Sequence, residues 1–505
     1  MANLANRLFI RLIQIKRAVL CVREAFPSSV RYFDVMANKL GNKTMAADTA
    51  CAGTPTKHLG IGVLTLFFSF LTLLLSPATS HAVPAFARQT HQPCTACHIG
   101  GFGPQLTPFG RQFKLMGYTL TVGNDTKVPL SLMVVETYTH TEKAQTSPPA
   151  SNFNTNDNVE LQQASLFVAG RLTDNLGILA QGTYSENGGL LGWDNSDLRY
   201  ARSFTLSGHP AIWGLSLNNN PSVTDVFNTA PAWQYPYMAA DLAPGAPAAP
   251  ILMGGLAGQV VGLNAYTQWN NALYLETGIY RSLSPAFLRD VNADFSGRLA
   301  GLSPYARVAY TWNLPSGNVE VGGFIFETAR GQVGANAQGN AVAMAGPTDK
   351  FHDYGVDASY QLLNGSNHLL TVNALYLTEQ QRLDATYASG GSSNLHDNLH
   401  ALNANASYWF KNTWGVTLGA FANDGSKDVT LYGNNGSPNT NGGIAELNWN
   451  PFGQSDSWAQ PYVNVRLGLQ YTWYTRFSGL VYNVDGAGRR ASDNNTLYFY
   501  VWLAF

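Results

Sequence analysis

The chain ends in the ten residues TLYFYVWLAF, positions 496–505, and this stretch decides the fold. Successive side chains of a β-strand point to opposite faces, so alternate positions share one face. Here one face is entirely apolar, and it consists of Leu497, Phe499, Val501, Leu503 and Phe505. A soluble protein has no ordinary reason to carry such a strand up to its last residue. The stretch therefore predicts a strand with one face against an apolar medium.

The same alternation recurs upstream and predicts further strands. Three runs with apolar alternate positions are 463–473, 305–312 and 402–410. The other face of such strands carries small or polar residues, and the scattered charges of this inward set include Arg307, Asp357 and Arg466. A soluble β-sandwich would alternate in the same way, so the periodicity alone leaves both architectures open.

The lengths of the connections separate the two architectures. Turn sequences stand at 173–175, 207–210, 270–271, 315–317, 364–366 and 411–413, and long polar loops are expected near 141–158, 219–256, 283–302, 330–350, 380–397, 424–440 and 476–494. Short periplasmic turns that alternate with long extracellular loops are typical of outer-membrane barrels, and the aromatic chain end resembles the ending common among them. We predict an all-β outer-membrane barrel of about 16 antiparallel strands over 127–505, with the chain entering and ending on the periplasmic side.

Composition agrees with a membrane barrel and argues against nucleic-acid binding. Charged residues make up 12% of the chain, which is about half the share in an average soluble domain. The formal net charge is −1, so the chain lacks the basic excess that attracts nucleic acid. We therefore expect outer-membrane lipid, rather than nucleic acid, to be its surroundings.

The first 82 residues read as an N-terminal extension and an export signal. A dense apolar run at 59–75 is followed by Ser80, His81 and Ala82, which predicts a signal peptide cleaved after Ala82. A membrane anchor is the alternative. Met45 lies at a natural distance before the apolar run, so Met1 and Met45 both remain candidate start positions.

The motif CTACH at 94–98 is a C-x-x-C-H sequence, the attachment signature of a c-type haem. Two thiols at this spacing can form thioethers to the two vinyl groups of one porphyrin, and His98 can then ligate the iron. A thioredoxin-like pair would need a βαβ context, and a zinc site would need a second Cys/His pair. Neither is evident, so we predict one covalent haem c on Cys94 and Cys97, with His98 as axial ligand.

The segment 83–126 is short for a self-standing cytochrome domain, because so short a chain hardly supplies an apolar wrapping for haem. We predict that it forms a haem plug in or against the periplasmic mouth of the barrel. Met116 is the best candidate for the sixth iron position, with plain apolar packing as its alternative role. Met133 and His91 are further candidates for that position.

Three basic residues of this segment are candidate partners of the haem propionates. They are Arg88, Arg111 and Lys114. A cationic side chain forms strong charge-assisted hydrogen bonds to a carboxylate. A solvated position on the surface is the alternative for each of them.

Two stretches of the mature chain resemble the fused cytochrome–porin family, the monohaem outer-membrane cytochromes c best known from iron-oxidising bacteria. The first comprises VPAFARQT at 83–90, the CTACH motif and TPFGRQFK at 107–114. The second, less specific, stretch is NNNP at 218–221 together with AWQYPY at 232–237. The resemblance implies electron uptake from extracellular Fe(II) or another small donor, with delivery to a periplasmic cytochrome or copper protein.

Three functions remain open at this point. The first is an electron conduit, which would give the chain Fe(II) oxidase activity. The second is a porin or transporter whose haem is structural or sensory. The third is a haem enzyme with an open iron site, such as a peroxidase. A peroxidase-like site needs a distal His and Arg, and the sequence does not reveal such a pair.

The cysteine pair generates the first prediction. The purified chain should carry one haem that survives denaturing electrophoresis, because thioether bonds are covalent. A haem stain of the gel and a pyridine haemochrome assay measure it, and the double variant Cys94→Ala/Cys97→Ala should lose the stain. A stain that persists in the double variant would rule out the assignment.

Overall fold

The computed structural model describes residues 85–122, 130–365, 367–460 and 462–505. The expected extension and signal peptide at 1–82 lie outside the described residues, as does most of the predicted junction near residue 126. The described residues contain no helix long and apolar enough to cross a membrane.

Sixteen strands make up most of the described chain. Their bounds are β1 Leu130–Thr141, β2 Asn158–Arg171, β3 Leu176–Tyr184, β4 Leu191–Leu206, β5 His209–Asn218, β6 Val260–Trp269, β7 Leu273–Ser282, β8 Ser303–Leu314, β9 Gly317–Ala335, β10 Ala341–Asn364, β11 His368–Arg382, β12 His396–Phe410, β13 Trp414–Gly425, β14 Thr440–Trp449, β15 Asn464–Arg476 and β16 Thr496–Ala504.

Each strand pairs antiparallel with its neighbour in sequence, and β1 pairs with β16, so the sheet closes into a barrel. The closing seam runs from Met133 opposite Ala504 to Thr141 opposite Thr496. The prediction of an antiparallel barrel of about 16 strands is confirmed. Closure leaves no sheet edge, which is the condition for a β-structure to cross a bilayer.

The two faces of the strands divide as the alternation predicts. In β15 the inward Asn464, Arg466 and Gln470 are buried, whereas the outward Leu469 and Tyr471 are exposed. In β16 the inward set is Tyr498, Tyr500 and Trp502, and all three are buried. The outer wall is therefore apolar and suited to lipid, and polar and aromatic side chains fill the lumen.

The two ends of the barrel differ in their connections. At the short-turn end, two to four residues join most neighbouring strands, as between β4 and β5. At the long-loop end, the longest connection is the stretch 219–259 between β5 and β6, called here the inner loop. Most of the predicted turns and loops are confirmed.

Two connections differ from the sequence-based expectation. The predicted loop 330–350 is mostly strand, because β9 and β10 continue as a hairpin and only 336–340 connect them. The polar composition there had suggested a loop, but backbone pairing tolerates polar side chains once a hairpin extends beyond the membrane. At the short-turn end, β14 and β15 are joined by the longer connection 450–463.

Six α-helices are short and lie outside the strands in the described chain. They are α1 Ala85–Thr90, α2 Cys94–Cys97, α3 Pro108–Leu115, α4 Pro285–Asp290, α5 Asp384–Ala388 and α6 Val429–Tyr432. The first three belong to residues 85–122, called here the N-terminal segment. Its side chains and backbone contact inward residues of several strands, including Thr371 of β11 and Arg466 of β15.

The seam generates the second prediction. The Phe505 N–H donates to Leu132 O at 2.9 Å, and Phe505 O accepts from Leu132 N–H at 2.6 Å. Deletion of Phe505 removes both hydrogen bonds from the closing strand pair, at a cost of about 1 kcal/mol each. We expect a smaller yield of the compact, heat-modifiable form, measured by electrophoresis of unboiled and boiled samples. Phe505→Tyr keeps both bonds and is the control; equal yields in the deletion and the control would contradict the prediction.

Candidate functional site inside the barrel

The C-x-x-C-H motif forms a single helical turn followed by an extended residue. Helix α2 starts after Pro93, and the His98 N–H donates to Cys94 O at 2.9 Å, which closes the turn. This turn places both cysteines and the histidine within one short stretch of backbone. The geometry suits attachment of one group at three neighbouring points.

Helix α3 packs directly on the motif. Thr107 caps the N-terminus of the helix, since the Thr107 hydroxyl accepts from the Gly110 N–H at 3.1 Å. Pro108 is the first helical residue, where its missing N–H costs nothing. A Cβ at Gly110 would lie 2.2 Å from Cys97 O. Only glycine permits this approach of helix to motif.

Arg466 on β15 anchors the chain that follows the motif. Its Nη2 donates to Gly100 O at 2.9 Å and to Phe102 O at 2.5 Å. Its guanidinium lies 4.9 Å from the ring centroids of Phe102 and Trp409 and 5.4 Å from that of Trp502. This buried cation therefore satisfies two backbone carbonyls within an aromatic enclosure.

Side-chain amides at the short-turn end complete the attachment. The Cys94 N–H donates to Gln460 Oε1 at 2.8 Å, and the Gly100 N–H donates to Asn412 Oδ1 at 2.8 Å. Both amides belong to connections at the short-turn end of the barrel. The motif is therefore held at this end of the lumen.

Burial sets the protonation of the three motif side chains. It raises the pKa of the Cys94 thiol to about 11 and that of the Cys97 thiol to about 12, and the two cysteines form no disulfide. It lowers the pKa of the His98 imidazole to about 4, and the charge of Arg466 acts in the same direction. Neutral imidazole is the form that ligates a metal.

The residues present fit a covalent haem c. Both thiols are free to form thioethers, and Nδ1 of His98 is buried without a hydrogen-bond partner in the described structure. Such an orphaned ring nitrogen is costly unless another group uses it. The two cysteines would hold the haem, His98 would ligate its iron, and the bound group would supply one-electron redox chemistry.

Of the three predicted propionate partners, Arg111 shows the most suitable environment. Its Nη1 donates to Asn318 Oδ1 at 2.8 Å, while Nε and Nη2 are buried with no hydrogen-bond partner in the described structure. Arg88 donates to Leu130 O at 2.8 Å, at the start of β1. Two unused N–H donors on Arg111 match the geometry of a carboxylate.

Lys114 has a different role, because its ammonium holds the inner loop. Its Nζ donates to Val223 O at 2.7 Å and to Asp225 O at 2.6 Å, and lies 4.6 Å from the ring centroid of Trp233. Burial, together with the nearby charge of Arg199, lowers the pKa of Lys114 to about 7. These contacts join α3 to the inner loop.

The candidates for the sixth iron position lie in different environments. Met116 packs against the apolar cluster Leu115, Ile212, Val226, Phe227, Tyr266, Tyr274 and Ala309. Met133 packs against a second cluster that contains Phe102 and Trp502. His91 is exposed, with a left-handed backbone φ of 51°.

Met238 was missed by the sequence analysis. It is 6% exposed and lies in the same cluster as Phe102 and Trp502. Met238 belongs to the inner loop, 140 residues after the motif (238 − 98), so no local pattern connects the two. Only the return of the inner loop into the lumen brings this thioether to the cluster.

A network of buried charges joins the N-terminal segment, the inner loop and the wall. Arg307 donates to both carboxylate oxygens of Asp357 at 2.7 Å and lies 3.3 Å from carboxylate oxygens of Asp225 and Glu320. Arg199 pairs with Asp197 at 2.6 Å on β4. At the level of this network the lumen is filled with protein.

No family model and no curated protein matches the chain. Solved structures with a similar barrel include Pseudomonas putida OprB at high pH (11% identity, TM-score 0.45, 75% of this chain and 94% of that chain) and an anion-selective porin from Comamonas acidovorans (12%, 0.43, 75% and 99%). Outer-membrane expressed OmpT of Vibrio cholerae is a third (10%, 0.40, 76% and 99%). Because these TM-scores are low, the fold is assigned from the strand pairings described above.

Arg466 generates the third prediction. Arg466→Met should loosen the N-terminal segment, because Phe102 O would lose its donor and Gly100 O would keep only the Asn450 amide. The unsatisfied buried carbonyl costs about 1–3 kcal/mol, and the lost bond to Gly100 O costs about 1 kcal/mol. We expect hydrogen exchange at residues 98–107 to accelerate by about a hundredfold, as a loss of roughly 3 kcal/mol requires. Mass spectrometry measures the exchange.

The matched control is Arg202→Met, which removes an exposed arginine of β4. Its exchange at residues 98–107 should equal that of the parent chain. Equal exchange in both variants would show that Arg466 does not anchor the segment.

Proposed function

We propose that the chain is an electron-transfer cytochrome of the bacterial outer membrane. Cys94 and Cys97 would hold one covalent haem c and His98 would ligate its iron; the bound group would supply the one-electron chemistry that carries electrons from a small donor outside to a periplasmic carrier. The observation that carries this proposal is the anchoring of the C-x-x-C-H motif inside the lumen, at the short-turn end. In outer-membrane barrels the short turns face the periplasm.

The surroundings of the motif support a role in electron transfer. Trp409, Trp502 and Phe102 enclose the arginine next to it and exclude water from this part of the lumen. An apolar enclosure and fixed charges tune the reduction potential of a bound haem. The closed barrel at the same time holds the segment at a fixed depth in the membrane.

Met116 is our proposed sixth ligand, and a thioether there would raise the potential relative to a second imidazole. A high potential suits an acceptor of electrons from Fe(II), which is the donor we propose. Its packing among apolar side chains supports a dry position for the thioether. Met133 and Met238, beside Phe102, are the alternatives to be tested if Met116 is not the ligand.

The family assignment follows from the same features and is part of the proposal. A monohaem motif followed by a closed barrel of 16 strands is the architecture of the fused cytochrome–porin family that the sequence resembles. The electron acceptor would be a periplasmic cytochrome or copper protein that docks at the short-turn end. Outer-membrane lipid would surround the apolar wall.

A haem-bearing porin or transporter is the second candidate. The barrel itself favours it, because 16 strands are enough to enclose an aqueous channel. The filled lumen argues against it: Arg307, Asp357 and Glu320 are all buried by the inner loop and the N-terminal segment. A haem enzyme is a weaker alternative, since it would need an open iron position with distal catalytic groups.

Two measurements on the purified holoprotein form the fourth prediction. Stopped-flow absorbance should show haem reduction by Fe(II), and Met116→His should slow it while retaining a low-spin haem, because a second imidazole lowers the potential. In planar bilayers the parent chain should show no steady open-channel conductance, because protein fills the lumen. A large steady conductance without haem reduction by Fe(II) would instead establish the porin.

A further inference from the structure

Glu160, the third residue of β2, is buried in the lumen near the long-loop end with neither carboxylate oxygen satisfied. The residue is 1% exposed, and Oε1 and Oε2 both lack a hydrogen-bond partner in the described structure. A buried, unpaired carboxylate costs several kcal/mol. Protonation alone would not remove the cost, because a neutral carboxyl group still needs a partner for its O–H and its C=O.

The charges around Glu160 are negative. The charged groups that act most strongly on it are Asp241 of the inner loop, Glu186 of the β3–β4 connection and Glu136 of β1. The backbone N–H of Asn187 is the one neighbouring group in the described structure that favours the ionised form. Glu186 is fixed in place, since its Oε2 accepts from the Leu161 N–H at 3.0 Å. Asp241 is exposed, so the group reaches the solvent at the long-loop end. Such an arrangement favours a cation.

The arrangement of these carboxylates indicates which kind of cation can bind. No set of three His, Cys, Asp or Glu side chains in the described residues is arranged to hold a metal ion directly. A hydrated divalent cation needs no such set, because its bound waters donate hydrogen bonds to carboxylates. Mg²⁺, for example, loses its waters reluctantly and is commonly held in this way by one or two carboxylates.

The position of the group relative to the motif adds a second, geometric argument. Gln162, two residues along β2, accepts from the Tyr498 hydroxyl at 2.7 Å. On β16, Tyr498 lies 5.6 Å from Tyr500 between ring centroids. Trp502 follows on the same inward face and lies 4.8 Å from Phe102, four residues beyond His98. A continuous line of side chains thus joins the two ends of the lumen.

We propose that Glu160, Asp241 and Glu186 form a docking site for a hydrated divalent cation at the outer mouth of the barrel. The site stands on the buried, unpaired carboxylate of Glu160 and on Glu186, whose carboxylate is held by the N–H of Leu161, the next residue in sequence after Glu160. Its use as the entry point for the electron donor rests on the proposed function, under which the cation that docks is Fe(II).

The test uses the holoprotein in detergent and Mn(II), which resembles Fe(II) in charge and does not reduce haem. The signal of free Mn(II) in electron paramagnetic resonance should reveal one saturable site per chain. Glu160→Gln should weaken binding about tenfold or more, which corresponds to 1.4 kcal/mol or more. Asp241→Asn should weaken it by a smaller factor. Asp290→Asn removes an exposed carboxylate of α4 and should leave it unchanged.

Heat-modifiable migration verifies that each variant is folded. Absence of a saturable Mn(II) site in the parent chain, or equal binding by folded Glu160→Gln, would overturn the docking site. If Glu160→Gln does not fold, Asp241→Asn tests the docking site in its place. Unchanged Mn(II) binding by Asp241→Asn would then overturn the docking site.

A second readout separates the site from the proposed function. At sub-saturating Fe(II), haem reduction should be about tenfold slower in Glu160→Gln, while reduction by ascorbate, an anion, should be unchanged. Equal Fe(II) rates would overturn the role as entry point. If Mn(II) binds but Fe(II) does not reduce the haem even in the parent chain, the proposed function fails and the docking site stands.

Discussion

Closure of the sheet between β1 and β16 is the constraint on which the rest of the structure depends. In a bilayer no water is available for unpaired N–H and C=O groups, so an open edge would be costly along its whole length. The seam from Met133 to Thr141 removes that edge, and Phe505 extends it by two hydrogen bonds. Once the ring of strands is closed, each strand side chain faces either the lipid or the lumen.

The lumen differs from the outer wall, because its buried polar and charged side chains need partners. Its side chains are polar, aromatic and charged, and Arg199, Arg307 and Arg466 are almost fully buried. A buried charge requires partners. The N-terminal segment and the inner loop supply them, through Asp225 for Arg307 and through the carbonyls of Gly100 and Phe102 for Arg466. The same contacts therefore fill the lumen and hold the C-x-x-C-H motif in place.

The packing of the lumen leaves some polar groups without a hydrogen-bond partner. Most inward polar groups of the barrel have a partner, as Asp357 has in Arg307. His98 Nδ1, two donors of Arg111 and both oxygens of Glu160 do not. The first two lie in the N-terminal segment, and the third lies near the long-loop end.

The sequence by itself determined the strand faces, the short turns, the closed antiparallel barrel and the C-x-x-C-H motif, because each depends on alternation, turn residues or spacing within a few positions. It did not determine the contacts of the lumen. Arg466 meets Gly100 across 366 positions of the chain, and Met238 joins the cluster of Phe102 only through the return of the inner loop. The hairpin of β9 and β10 was missed because its polar ends carry no hydrophobic alternation. Closure of the barrel decided these contacts, since it alone brings distant strands around one interior.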